Sequence, residues 1–133
     1  MDASAAIEML IDSPAGSAAL AAMRPRLPAI VPASFDAEVF NGLRCLFLQQ
    51  ALARDALLEA VDLLTSFDAE RVDVRASLRA AVRLIDTFGG HHVFYVLVAI
   101  DRGCPLLTCD LRLARAATAA GLEVVAIDRA RVA

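Results

Sequence analysis

Three carboxylates occupy positions from which side chains could reach a shared binding site. Asp110 follows a short apolar stretch, 105–108, and precedes a helix-forming one. In open parallel sheets, ligands bind at the carboxyl ends of the strands, where each chain turns into its helix. Glu38 lies in the first turn of one predicted helix, and Asp2 lies just before another. The three acids are therefore candidates for one site.

Each of these acids also has an ordinary structural role. Asp110 can cap the helix that begins at Leu111, because a carboxylate accepts hydrogen bonds from free N–H groups and suits the positive end of the helix dipole. Glu38 and Asp2 can serve as first-turn acids in the same way. Spacing alone leaves both roles open, since it does not bring the three residues together.

The pair His91-His92 is a further candidate. Imidazole nitrogens bind metals, but two adjacent histidines lack the spacing of an established ligand motif. The pair can equally begin a helix after the stop at Gly89-Gly90. A site role and a structural role both remain open for these two residues.

The elements that must position these residues follow from apolar periodicity and from Pro and Gly breaks. Helices are predicted over about 5–11, 16–23, 35–50, 54–64, 77–88, 91–101 and 110–120, and strands over about 29–31, 71–74, 105–108 and 123–127. The last strand, helix and strand form a βαβ unit, which requires a parallel pair with a right-handed crossover. We therefore expect one α/β domain over 1–133, with helices on both faces of a small parallel sheet.

Composition restricts the class of protein. Although 59% of the residues are hydrophobic, no uncharged apolar run reaches the roughly 18 residues that suggest a membrane-spanning helix. The N-terminal residues show no signal or transit peptide, so a cytoplasmic protein without a membrane segment is expected. Cys45, Cys104 and Cys109 lack disulfide and zinc-finger spacing and are predicted to be reduced core thiols.

Charge gives no indication of a nucleic-acid partner. The net charge of −3 argues against a protein that holds nucleic acid by bulk charge alone. All 13 basic residues are Arg, and they are scattered along the chain. Scattering favours codon bias over selection for phosphate binding, since phosphate-binding residues cluster on one face.

Three segments resemble motifs of the PIN-domain family, and in particular its VapC-type toxin ribonucleases. Thr108-Cys109-Asp110 resembles the C-terminal signature, in which an Asp follows a buried strand after a Thr and one variable residue. The opening Asp2-Ala3-Ser4 resembles the first acidic motif, and the segment 32–44 resembles the second, with Glu38 at the acidic position. The three motifs stand in the family's order and cover nearly the whole chain.

The resemblance implies a fold, an activity and a set of site residues. The fold would be a three-layer α/β/α PIN-like domain with a small central parallel sheet. The activity would be endonucleolytic cleavage of RNA by metal-activated water. Asp2, Glu38 and Asp110 would bind one or two Mg²⁺ or Mn²⁺ ions, as hard oxygen ligands for hard ions, and Ser4 and Thr108 would be the hydroxyl groups that support them.

Two features depart from the family pattern. The family's third acid lies three residues before the aromatic of an Asp-x-x-Tyr motif, and that position is His92 before Tyr95 here. His92 is thus a candidate metal ligand that is expected to weaken Mg²⁺ binding and to favour Mn²⁺ or Zn²⁺. Asp101 does not replace the missing acid, because its offset along a helix is about 900°, half a turn out of phase. Only Met1 precedes the first Asp, so either the natural start lies upstream or the first strand is shortened.

Partners also follow from the resemblance. VapC-type toxins usually form dimers and are inhibited by an antitoxin that covers the site, which implies a homodimer and a cognate VapB-like antitoxin here. Apolar helix faces with Phe35, Phe40 and Phe47 suit such contacts, but most of these residues are expected in the core.

Two other functions are compatible with some of these features. One is a catalytically weakened PIN-like module kept for antitoxin binding or autoregulation, which His92 and the short first strand favour. The other is a nucleotide-binding α/β regulator, which is disfavoured because no Gly-rich phosphate loop follows any predicted strand.

Overall fold

The computed structural model describes residues 1–132, and Ala133, the last residue of the predicted domain, lies outside them. The helices in this part of the chain are α1 (Ala3–Leu10), α2 (Pro14–Met23), α3 (Phe35–Leu48), α4 (Arg54–Thr65), α5 (Leu78–Val82), α6 (His92–Arg102), α7 (Leu111–Ala119) and α8 (Arg129–Val132). The strands are β1 (Ala29–Pro32), β2 (Ala69–Val72), β3 (Leu106–Thr108) and β4 (Val124–Ala126).

The strands form two parallel pairs. In one pair β1 lies beside β2, with Ala29 opposite Ala69. In the other β3 lies beside β4, with Leu106 opposite Val124. The parallel pairing predicted for the C-terminal βαβ unit is therefore confirmed, although the strands of residues 1–132 are divided between two sheets of two strands each.

Met1 and Asp2 connect the two pairs. The Met1 ammonium group donates a hydrogen bond to the Ile30 carbonyl in β1 at 3.1 Å. The Asp2 backbone N–H donates to the Leu107 carbonyl in β3 at 2.8 Å. This segment therefore places Asp2 next to the C-terminal half of β3, close to the point where the chain continues to Asp110.

Helices cover the strands in a three-layer α/β/α arrangement, as predicted. Helix α6 packs on β1 and β3, α7 packs on β3 and β4, and α1 packs against α2, α3 and β3. The largest fully buried side chains include Phe35 and Leu43 of α3, Tyr95 of α6 and Leu106 of β3. None of the helices in the described part of the chain combines the length and apolar character needed to cross a bilayer.

Local signals place the helix ends. The Asp2 carboxylate caps α1 by accepting from the Ser4 N–H, and the Ser13 hydroxyl caps α2, which has Pro14 as its first residue. Asp110 caps α7 in the same manner. At the other end of α6, Gly103 has φ 58°, a left-handed conformation that glycine adopts without steric cost. The capping role predicted for Asp110 is thus present, and Asp2, expected as a first-turn acid, is the N-cap of α1 instead.

The helix predicted over 77–88 is wrong for most of its length. A 3-10 turn leads into α5, which ends at Val82, and turns follow up to Phe88. Leu78, Val82 and Ile85, the apolar residues that supported the prediction, are 52%, 66% and 60% exposed. Helical spacing of apolar residues did not place them in the core, because this stripe faces away from it.

Two predictions about buried side chains, one for the phenylalanines of α3 and one for the cysteines, are met only in part. Phe40 is 50% exposed, whereas Phe35 is fully buried and Phe47 is partly buried. All three cysteines are free, but only Cys109 is buried, and Cys45 is exposed. The inward face of α3 carries Phe35 and Leu43 at helical spacing, and Cys45 lies about 200° round the helix from Leu43.

Candidate active site

Asp2 is a buried carboxylate with an organised set of donors. The residue is 2% exposed. Its Oδ2 atom accepts hydrogen bonds from the Ser4 N–H at 3.2 Å and from the Ser4 hydroxyl at 2.5 Å. The Thr108 hydroxyl donates to the same oxygen at 2.9 Å. All hydrogen bonds to this carboxylate from residues 1–132 therefore reach one of its two oxygens.

The hydroxyls of Ser4 and Thr108 join the start of α1 to the end of β3. The two hydroxyl oxygens lie 3.2 Å apart. Ser4 Oγ accepts from the Cys109 N–H, and Thr108 Oγ1 accepts from the Asp110 N–H, each at 3.0 Å. Asp2 and the backbone of Asp110 are thus bound to the same small hydroxyl cluster, although they lie 108 positions apart in the sequence.

Glu38 is held by two hydroxyl donors. Ser34, one turn earlier, donates to Oε1 at 2.5 Å. The Tyr95 hydroxyl of α6 donates to Oε2 at 3.0 Å. Burial, the charge of Glu38 and, to a smaller extent, the charge of Asp2 raise the pKa of Tyr95 far above its usual value, so the phenol stays neutral and remains a donor.

Tyr95 belongs to the site but was not among the predicted site residues. Its only signal in the sequence is its place three residues after His92, where the family pattern has an aromatic. A sequence does not reveal that this hydroxyl reaches a carboxylate 57 residues away.

Asp110 uses its two carboxylate oxygens differently. Oδ1 accepts from the N–H groups of Arg112 and Leu113 at 2.8 and 3.1 Å, which caps α7. Oδ2 lies 3.7 Å from His92 Nε2. The structural role of Asp110 therefore leaves one oxygen facing the candidate site.

The two histidines each face one of the acids. His92 approaches Asp110, and the Nδ1 atom of His91 lies 3.7 Å from Glu38 Oε1. The side chain of His91 is 70% exposed and that of His92 is 40% exposed. Both imidazoles therefore stand at the mouth of the site rather than in the core.

These residues surround an open cleft of about 590 Å³. Asp2 and Glu38 line it, and Asp110 adjoins it through its contact with His92. The remaining lining residues are Ala3, Ser4, Ile7, Ser34, Ala37, Asn41, Gly42, Gly89, Gly90, His91, His92 and Arg129. Arg129 was not predicted, since no motif points to it.

Comparison with curated proteins gives a relative that covers most of the chain. Over 115 residues, which make up 86% of this chain and 88% of the relative, the chain is 33% identical to Ribonuclease VapC12 of Mycobacterium tuberculosis, in two strains of that organism. The chain belongs to the VapC family. No family model matches it, and no solved structure matches it.

The donor chemistry of this VapC-family cleft suits a divalent cation, but the donors do not form a ready-made cluster. Asp2, Glu38 and Asp110 offer the hard oxygen ligands that Mg²⁺ and Mn²⁺ prefer. Within residues 1–132, however, no three His, Cys, Asp or Glu side chains lie close enough together to hold an ion as they stand. The residue types therefore suit a metal, but within residues 1–132 their side chains are too far apart for three of them to hold an ion as they stand.

Cys109, between Thr108 and Asp110, is poorly suited to act as a nucleophile. The residue is 4% exposed, and burial raises the pKa of its thiol to about 11. A thiol reacts as its thiolate, which is scarce at neutral pH when the pKa is raised in this way. The thiol of Cys109 is therefore a weaker candidate for chemistry than the carboxylates of the cleft.

Proposed function

We propose that this VapC-family chain is a metal-dependent endoribonuclease, the toxin of a VapBC-type toxin–antitoxin pair. The observation that carries the proposal is that Asp2 and Glu38 line one cleft, with Asp110 beside it, in a chain similar to a named ribonuclease. Acids at the carboxyl ends of parallel strands are typical of ligand sites in α/β folds.

Asp2, Glu38 and Asp110 are the proposed ligands of Mg²⁺ or Mn²⁺. When bound, the ion would supply an activated water and neutralise charge on the phosphate under attack. Asp2 keeps Oδ1 for this role, because its hydrogen bonds from residues 1–132 reach Oδ2. Asp110 keeps Oδ2, since Oδ1 caps α7.

The hydroxyl groups around these acids act as positioning residues. Ser4 and Thr108 fix the orientation of the Asp2 carboxylate, and Tyr95 fixes that of Glu38. Groups that orient metal ligands strongly affect metal affinity and activity. Loss of one such hydroxyl is therefore expected to lower metal affinity and cleavage, although the hydroxyl touches neither metal nor RNA.

His92 is proposed to change the metal preference of the site. A neutral imidazole in place of a carboxylate removes one negative charge, which at about 4 Å and an effective dielectric of about 20 interacts with a unit charge by about 4 kcal/mol before desolvation is counted. Titration calorimetry of native protein and His92→Asp tests this role. We expect Mg²⁺ to bind His92→Asp at least about tenfold more tightly, and equal affinities would contradict it.

A non-catalytic module kept for antitoxin binding or autoregulation is the second candidate. His92 at the acidic position favours it, and so does the lack of a close group of three metal-binding side chains among residues 1–132. The two candidates differ in RNA cleavage. Only a ribonuclease has a cleavage activity that is lost when a single acid is neutralised.

Cleavage of RNA in Mg²⁺, in Mn²⁺ and in EDTA, by native protein, Asp110→Asn and Asp110→Ala, tests the ribonuclease. Asn caps helices about as well as Asp, whereas Ala costs about 1 kcal/mol of stability. We expect Asp110→Asn to keep native stability and to lose RNA cleavage. Asp110→Ala should lose cleavage and also about 1 kcal/mol of stability. A native protein no more active than these variants would rule out the enzyme and leave the binding module.

Partners of the proposed toxin are an RNA substrate, a VapB-like antitoxin and a second copy of the chain in a homodimer. Exposed apolar side chains on the helices support the two protein contacts, because exposed apolar patches often mark such interfaces. The most exposed, all on helices except Ile85 in the turns after α5, are Phe40, Leu48, Leu58, Leu63, Leu78, Val82, Ile85 and Ile100. We propose the cytoplasm as the site of action, where RNA and antitoxin are present.

A further inference from the structure

Arg129 is the one permanently charged cation among the residues of 1–132 that line the cleft. The same cleft contains the carboxylates of Asp2 and Glu38. These acids attract a divalent cation but repel the phosphates of an incoming RNA. A fixed positive charge on the cleft wall offsets that repulsion at one place.

The topology carries Arg129 to the catalytic side of the sheet. After β4, the Ile127 N–H donates to the Thr108 carbonyl at 2.9 Å, so the chain leaves β4 beside the end of β3. The Asp128 carboxylate then accepts from the Ala130 N–H at 3.0 Å and starts α8. Arg129 and Asp110 thus follow neighbouring parallel strands at the same edge.

The largely buried Glu8 carboxylate holds the Arg129 side chain in place. Its Nε lies 2.6 Å from Glu8 Oε1, and the Glu8 side chain is only 13% exposed. Glu8 also accepts from the Ser13 hydroxyl at 2.5 Å, and Ser13 in turn accepts from the Gly16 N–H at 2.9 Å. The side chain of Arg129 itself is 55% exposed. It is therefore fixed on one side and open to the cleft on the other.

Guanidinium chemistry suits this position. Arg carries five N–H donors in a planar fork, which lets one side chain contact a carboxylate and a phosphate together. An ion pair with Glu8 alone would be satisfied equally well by a residue outside the cleft. Its place on the cleft wall points to a second contact.

We propose that Arg129 binds a backbone phosphate of the RNA, an inference that rests on the proposed ribonuclease function. Glu8 is its positioning residue, since it sets the direction of the guanidinium without reaching the cleft wall itself. The contact is to the sugar–phosphate backbone, so it raises affinity for RNA without selecting a base.

The test compares Arg129→Gln with Arg131→Gln. Gln at 129 keeps a hydrogen-bonding amide for Glu8. Arg131 is a matched control, because it lies on the same helix, is 87% exposed and loses the same charge when changed. Fluorescence anisotropy with a short, labelled, random-sequence RNA in EDTA measures binding without cleavage, and circular dichroism melting measures folding.

We expect Arg129→Gln to bind this RNA about tenfold more weakly, as for loss of one charge-assisted hydrogen bond, and Arg131→Gln to change affinity less than twofold. The slope of log affinity against log salt should fall by about 0.7 in Arg129→Gln relative to native protein. Arg129→Lys, which keeps the charge but not the fork, should lie between the two. Equal effects at 129 and 131, or native affinity at 129, would overturn the proposal.

Cleavage in Mn²⁺ separates this inference from the function on which it rests. If the native protein binds RNA through Arg129 and cuts none, the ribonuclease fails and the phosphate contact stands. If the native protein cuts RNA, and Arg129→Gln binds and cuts RNA with native affinity and native rate, the phosphate contact is wrong and the ribonuclease function stands. Should Arg129→Gln not fold, RNA affinity of Arg129→Lys equal to that of native protein would overturn the proposal, because the joint contact to Glu8 and a phosphate depends on the guanidinium fork.

Discussion

Thr108 connects two of the candidate acids through one hydroxyl group. It is fully buried, donates to Asp2 Oδ2 and accepts from the Asp110 N–H. A β-branched residue also suits the strand that ends there. Position 108 therefore needs both the shape of a β-branched side chain and an oxygen, and of the β-branched residues only Thr supplies both.

Replacing Thr108 by Val keeps the shape and removes the oxygen. The Asp2 carboxylate then loses a donor in a buried place, which should lower the free energy of unfolding by about 1–3 kcal/mol. Thr118→Val is the control, because the Thr118 hydroxyl contacts only a helix carbonyl at an exposed position. Urea unfolding should show a change in the free energy of unfolding below about 0.5 kcal/mol for the control. Equal losses in the two variants would show that the Thr108 hydroxyl has no special stabilising role.

Part of the candidate site could be predicted from the sequence, and part could not. The motifs that contain Asp2, Ser4, Thr108 and Asp110 place these residues at the ends of elements, and the structure brings them into contact. The contacts of Tyr95, His91 and Arg129 depend on how α6 and α8 pack, which local patterns do not encode. Acids at the ends of strands can thus be predicted from a sequence. The side chains that reach these acids from distant parts of the fold cannot.

At the scale of elements, α1 and α2 approach each other at Gly16. A Cβ atom at this position would lie 2.1 Å from the Glu8 backbone oxygen. Glu8, whose backbone approaches Gly16 here, is also the residue whose side chain pairs with Arg129. The glycine is therefore required by close approach of two backbones.

Gly16→Ala should destabilise the protein despite the higher helix propensity of Ala. That propensity is worth about 1 kcal/mol, but a clash with backbone cannot be relieved by rotating a side chain, and overpacking typically costs about 3 kcal/mol or somewhat less. Gly89→Ala is the control, since nothing lies within 4 Å of its Cβ position. Thermal melts should show a large drop for Gly16→Ala alone, and an unchanged melting temperature would refute the close contact.

An ion pair links α3 to β2. Asp36 accepts from the Arg71 guanidinium at 2.6 and 2.8 Å, and these bonds lower the pKa of Asp36 below its ordinary value of 3.8. A carboxyl with a lowered folded-state pKa adds stability above 3.8, and that stability is lost as pH falls through the lowered value.

Asp36→Asn should therefore cost stability at neutral pH and none in acid. Both side chains are more than one-third exposed, so screening limits the loss to about 0.5 kcal/mol. Urea unfolding of both proteins across the acid range, at low and high salt, measures it. The two proteins should converge below the pKa of Asp36 and also in high salt, and a gap that persists in acid would contradict the assignment.

The elements differ in how well their sequences predicted them. Helix α6 and its stop at Gly103, and the β3–α7–β4 unit, were predicted to within one or two residues because caps and breaks mark their ends. Helix α5 was not, because its apolar residues face outward and tertiary packing decides where a short amphipathic segment ends. The division of the strands into two pairs also depends on packing.

At the scale of the whole molecule, the fold gathers charge that the composition does not reveal. A net charge of −3 spread over the chain gives no indication of RNA. The fold nonetheless gathers Asp2, Glu38, both histidines and Arg129 along one cleft, with Asp110 in contact with His92 beside it. A metal and a phosphate would need this local pattern of charges.

The initial rate of RNA cleavage in Mn²⁺ by native protein, Asp2→Asn and Asp101→Asn tests the central claim most directly. Asn at position 2 retains an oxygen for the donors of Ser4 and Thr108 but removes the charge, and Asp101 is a carboxylate with a 78% exposed side chain outside the cleft. We predict that Asp2→Asn loses at least about a hundredfold, as for the loss of a ligand to a catalytic metal, while Asp101→Asn stays within about twofold. Equal rates for native protein and Asp2→Asn, or no cleavage by native protein, would contradict the account.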